Sequence, residues 1–148
     1  MLADFETLLN DLVRDQDGVI SVESRGRAIE AARLRYSHDA VRELVDDVTW
    51  PQPGMTAPVP AGWSDGAWIK SAVRLTSSGV PDTACGGLEL AVGRTPTGWE
   101  LLSPEPLSAG VVVRLTYTAE HELSAVADTI PALHRLPVVQ YAAHLLCH

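Results

Sequence analysis

Cysteine is scarce in this chain. Cys85 and Cys147 are the two cysteines among 148 residues, far apart and with no CxxC pair. Two such thiols cannot build a disulfide framework, so reduced cytosolic cysteines are the default expectation. Basic charge is also short: 11 Lys and Arg stand against 19 Asp and Glu, a formal net charge of −8. A grip on nucleic-acid phosphates needs the opposite balance. Tyrosine and phenylalanine are few, three and one, so a platform for stacking bases is weakly provided for. No run reaches the roughly eighteen apolar residues of a membrane-spanning helix. The start, "MLADFETLLNDLVRD", lacks the basic beginning and continuous apolar stretch of a signal peptide. The expectation is a soluble protein made in the cytoplasm, with no membrane partner. Internal repeats and low-complexity segments are also missing.

What the chain does have is an ordinary apolar share, 46%, and many chain-turning residues, ten Pro and eleven Gly. Together they predict one folded domain with short strands and much loop. Leu2, Phe5, Leu8, Leu9, Leu12 and Val13 recur at helical spacing and predict a helix over about 4–14, with Asp4 as its N-cap and "DQDG" at 15–18 as the following turn. A second helix is predicted over 22–36, capped by Ser21, with Ala28, Ala31, Ala32 and Tyr36 on one narrow face and "SHD" at 37–39 breaking or recapping it. Arg25, Arg27, Arg33, Arg35 and Arg42 hold five of the eleven basic residues but are interleaved with Glu30 and Glu43. That pattern reads as an ion-paired, solvated helix rather than a DNA-binding stripe.

Residues 41–49 fit a helical start passing into a strand, and "WPQPGMTAPVPAGWSDG" at 50–66 reads as an extended loop. Strands are predicted at 67–76, 88–93, 99–102 and 110–118, the last being the best, with Val111, Val113, Leu115 and Tyr117 on one face. A last helix is predicted over 132–147, with Pro131 or Pro137 in its first turn. It carries two apolar rows, one of Leu136, Val139, Ala143 and Leu146, the other of Val138, Tyr141, Ala142 and Leu145. That is more apolar surface than a small domain needs for itself, so part of it is expected to face another chain. The sequence ends inside this pattern, as a shortened helical tail would. The fold class expected is α+β: a small helical bundle with a β-rich insertion, about 41–118, between the second helix and the C-terminal helix.

Signatures of chemistry fail one by one. His121-Glu122 resembles the start of a zinc-protease helix, but Ala125 stands where the second His is required. His144 and His148 have the i, i+4 spacing of a metal pair, without further ligands nearby in sequence, and read as a polar stripe. Cys85 precedes Gly86-Gly87 in a loop or hairpin turn, with no catalytic surroundings. No GxSxG elbow, Walker loop or GxGxxG is present. Trp50, Trp63, Trp68 and Trp99 cluster in the β-rich middle, where burial or interface anchoring is expected. The acidic stretch "TAEHE" at 118–122 reads as a strand–helix junction, with Thr118 capping, and "DTIP" at 128–131 as a second helix entrance. No cofactor, metal or catalytic residue is expected.

The words "VRLTYTAEHEL…DTIP", followed by "VVQYAAHLLC", resemble the head–tail connector or adaptor proteins of tailed bacteriophages. So do "AIEAARLRYSHD" and "LVDDV" at the front and "PAGW" at 60–63. The resemblance implies a virion protein of the neck, assembled in the host cytoplasm, with no enzymatic activity. It implies a ring of about twelve copies below the portal vertex, with the portal on one side and the next neck or tail protein on the other. Genomic DNA would pass through the lumen without specific binding, and an acidic chain suits such a conduit. Val138, Tyr141, Ala142, Leu145 and Leu146 are the expected subunit or portal contacts. A tail terminator or stopper, in a ring of about six, is the alternative within this class. A small ligand-binding protein or enzyme using His121, Glu122 and His144 or the tryptophans is the alternative outside it.

Overall fold

A computed structural model describes residues 1–15 and 18–147. Their order is α1 (Leu2–Val13), α2 (Val22–Asp39), β1 (Arg42–Thr49), β2 (Gly54–Pro58), β3 (Ile69–Arg74), β4 (Ala91–Thr95), β5 (Gly98–Leu107), β6 (Val112–Ala119), a 3₁₀ turn (Ala132–His134) and α3 (Arg135–Leu146). The class is α+β, with helices at both ends of the chain and strands between. The single domain expected from the sequence resolves into two compact units. One comprises Met1–Arg42 with Glu120–His148, the other Glu43–Ala119.

The helical unit forms because neither end of the chain can bury its apolar face alone. Phe5 and Leu9 of α1, Ala28, Ile29 and Ala32 of α2, and Val138, Val139 and Ala142 of α3 make one core, closed by Ile130. Alanines at 28, 32 and 142 let the helix backbones approach closely. Each fully buried Val or Leu in such a core contributes about 1.5–3 kcal/mol.

Helix ends depart from expectation in instructive ways. Asp4 is not the N-cap of α1: the helix starts at Leu2, and the Asp4 carboxylate lies in its first turn. At the other end Arg14 caps α1 in the left-handed conformation, φ 48° and ψ 43°, its amide donating to Asn10 O at 3.1 Å. The 15–18 turn lies partly outside the described residues. Within the described part, the Asp15 carboxylate accepts from the amides of Val19 and Ile20 and from Arg25. The Ile20 amide, above all, holds the Asp15 carboxyl below its ordinary range.

Ser21 caps α2 as expected, accepting from the Ser24 amide at 3.1 Å. "SHD" does not break α2, which runs on through Asp39. Ser37 donates to Arg33 O one turn back, so its hydroxyl satisfies itself on the helix instead of interrupting it. Of the two interleaved acids, Glu30 pairs with Arg33 as expected, whereas Glu43 pairs with Lys70 and Arg42 begins β1 instead of lying on the helix. The other partners are Asp15 for Arg25, Glu120 also for Arg33, Asp39 for Arg35 and Glu122 for Arg42. Pro137 falls in the first turn of α3, where its missing N–H costs nothing.

The β unit has two three-stranded sheets, β1-β6-β3 and β2-β5-β4, sharing one core. β6 is the centre of the first sheet; of its predicted apolar face Val113, Leu115 and Tyr117 are fully buried, while Val111 precedes the strand and is partly buried. Residues 42–49 are strand throughout, without the helical start expected. The stretch 50–66 is not all loop. Gly54–Pro58 forms β2, which prolines permit because it lies at the edge of its sheet. Pro104 and Pro106 sit inside ten-residue β5, beyond the 98–102 segment that pairs with β4 and where pairing with β2 loses register. There Ser103 Oγ takes over, donating to Glu105 O at 2.6 Å. Trp50 is fully buried, its indole donating to Gly54 O at 3.0 Å.

The "PAGW" word has a steric basis. A Cβ at Gly62 would stand 2.5 Å from Tyr117 Oη and 3.0 Å from Leu44 Cδ1. Trp63 stacks on the Tyr117 ring at 5.5 Å, and the Tyr117 hydroxyl donates to Asp46 Oδ2 at 2.6 Å.

Two outcomes are expected in urea denaturation. Gly62→Ala should cost about 1–3 kcal/mol, because buried Tyr117 cannot retreat; an unchanged midpoint would show that the close approach is not needed. Arg14→Gly should stabilise by about 0.5–1 kcal/mol by removing a side chain from a left-handed position. A loss on that substitution would mean that the arginine side chain outweighs the backbone cost.

Candidate functional site

Of the residues singled out for chemistry, His121 is the one with a built environment. It follows the end of β6 on the segment that leads back to α3, and it is buried. The expected helix at "TAEHE" does not form. Thr118 instead accepts from the Trp68 amide at 2.9 Å, inside the β unit. Residues 120–131 make an irregular return segment with one bridge, Leu123 to Asp128. Asp128 Oδ1 accepts from the Ile130 amide, and its other oxygen pairs with Arg135 at 2.7 Å.

The C-terminal end of α2 clasps this return segment. His121 N donates to Ser37 Oγ at 2.9 Å, and Arg33 Nη1 donates to His121 O at 2.5 Å. The imidazole Nε2 lies 2.8 Å from Ala40 O, a group that can only accept. The neutral ring carries one proton, which either this carbonyl or that of Thr129 can receive. Nδ1 faces Thr129, 3.0 Å from its carbonyl oxygen and 3.2 Å from its hydroxyl, which is able to donate. The Tyr36 ring leans against the imidazole at 4.9 Å, and Tyr36 Oη reaches His134 Nδ1 at 2.5 Å. Burial pushes the Tyr36 phenol above its ordinary range.

Both His121 nitrogens are thus occupied by this chain's own backbone and Thr129, a structural rather than a reactive arrangement. Glu122 is exposed and pairs with Arg42 at 3.3 Å. His144 lies on the exposed side of α3, 6.4 Å between ring centres from Tyr141; His148 lies outside the described residues. Among the described residues no group of three or more His, Cys, Asp or Glu is placed to hold a metal ion. Cys85 donates to Asp82 Oδ2 at 3.1 Å, which pushes its thiol above the usual range and keeps it protonated at neutral pH.

The tryptophans divide. Trp50 is core and Trp63 packs against it, whereas Trp99 donates to Asp65 at 2.7 Å with the Arg94 guanidinium over its ring. Trp68 is 52% exposed.

The five expected interface residues also divide. Val138 and Ala142 are buried in the core of the helical unit, so they are not available to a partner. Packing against α1 and α2 uses them first. Leu146 is partly buried against the same core. Tyr141 and Leu145, 41% and 39% exposed, remain on the surface, with Leu136 exposed nearby along α3. Tyr141 borders an open groove of about 560 Å³ between α2 and α3, shared with Tyr36, Arg35 and Pro137. Leu145 borders a second opening of about 460 Å³, with Val19, Ile20 and Arg27. Neither apolar row of α3 is wholly covered within the chain. Sequence reasoning missed Val126 and Leu133, each about nine-tenths exposed: Val126 lies between the two expected helix entrances, and Leu133, placed inside the last helix by the sequence pattern, falls in the 3₁₀ turn before α3. Among the described residues no helix is long and apolar enough to cross a membrane.

His121→Ala should destabilise the chain by about 2–4 kcal/mol, since it removes a buried ring that lies between the Ala40 and Thr129 carbonyls and leaves the one it donates to without a partner. His121→Gln should recover part of that loss. Equal stability of all three proteins in thermal denaturation would show that the clasp contributes nothing. Compared with known proteins, the chain matches no protein-family model and no curated protein sequence.

Proposed function

We propose that this protein is a structural subunit of the neck of a tailed bacteriophage, a ring-forming head–tail adaptor without enzymatic activity. The observation that carries the reading is the order of parts. A helical unit is made from both ends of the chain, and a β unit is spliced between α2 and the return segment. This is the architecture implied by the phage-connector words "AIEAARLRYSHD", "PAGW" and "VRLTYTAEHEL". In this reading the ring has about twelve copies, the portal protein lies on one side and the next neck or tail protein on the other. The net charge of −8 suits a passage that does not retain DNA phosphates.

Leu136, Tyr141 and Leu145 support the reading as surface left over after α3 has packed against its own chain. They are the residues proposed to meet a neighbouring subunit or the portal. Val138 and Ala142 serve the fold. A tail terminator or stopper differs from an adaptor in ring symmetry, which imaging distinguishes.

Two experiments test the proposal. The protein, tagged during production of its virus, is isolated with whatever it binds and imaged by electron microscopy. A ring below a portal, near twelve-fold, is the expected result; single copies attached to no particle would overturn the assignment. In the second, Tyr141→Glu with Leu145→Glu should abolish incorporation into particles while the chain stays folded, with a stability loss of about 1–2 kcal/mol because both side chains are partly covered. Normal incorporation of that variant would remove α3 from the interface.

A further inference from the structure

We draw no further inference here: the strongest candidate, the open groove between α2 and α3 bordered by Tyr36, Pro137 and Tyr141, is a partly apolar face, and nothing in the structure shows what covers it.

Discussion

The packing of α3 against α1 and α2 is the constraint on which the helical unit depends. Phe5 and Leu9 can be buried only if Val138, Val139 and Ala142 arrive from the far end of the chain. Those partners are separated from α2 by the whole β unit, residues 43–119. Closing so long a connection is less costly than its length suggests, because loop entropy grows only logarithmically, about 0.6 kcal/mol per doubling. The β unit also has a core of its own, so it brings its two chain ends out at fixed places instead of wandering as a loop.

The clasp on the return segment belongs to the same problem. After β6 the chain has to re-enter the helical unit without regular secondary structure, and its backbone groups need partners. Ser37, Arg33 and Ala40 on or next to α2 supply them through His121. A buried imidazole suits the position because it can meet two oxygen-bearing groups on opposite sides of its ring. The same residue that suggested zinc chemistry in the sequence is therefore explained by the hydrogen-bonding needs of a connection. Polar residues in this chain repeatedly work in this way: Asp15 gathers the amides of Val19 and Ile20, Ser103 bridges the irregular part of β5, and Thr118 receives the Trp68 amide.

What remains after these internal needs are met is modest and local. Leu136, Tyr141 and Leu145 stay on the surface of α3, with Val126 and Leu133 on the segments before it. The proposed neck function draws on that remainder and on the order of the two units, not on any arrangement of reactive groups.

Periodicity alone determined much of the architecture. The 3.6-residue recurrence of Phe5 and Leu9, the alanine face of α2 and the apolar rows of α3 marked all three helices. The alternation of Val113, Leu115 and Tyr117 marked the central strand, because one buried face forces a period of two. Local patterns could not tell where polar residues would find partners. Ser37 looked like a helix breaker, but its hydroxyl bonds back to Arg33 and receives His121 from 84 residues away. Pro58 argued against a strand, yet an edge position tolerated it. "TAEHE" read as a helix start, but Thr118 and Ala119 end β6 and His121 bonds to Ser37 of α2. The division of Val138 from Tyr141, one buried and one exposed, was likewise decided by tertiary structure. Both lie in one apolar row, and only the positions of α1 and α2 determine which side of that row is covered.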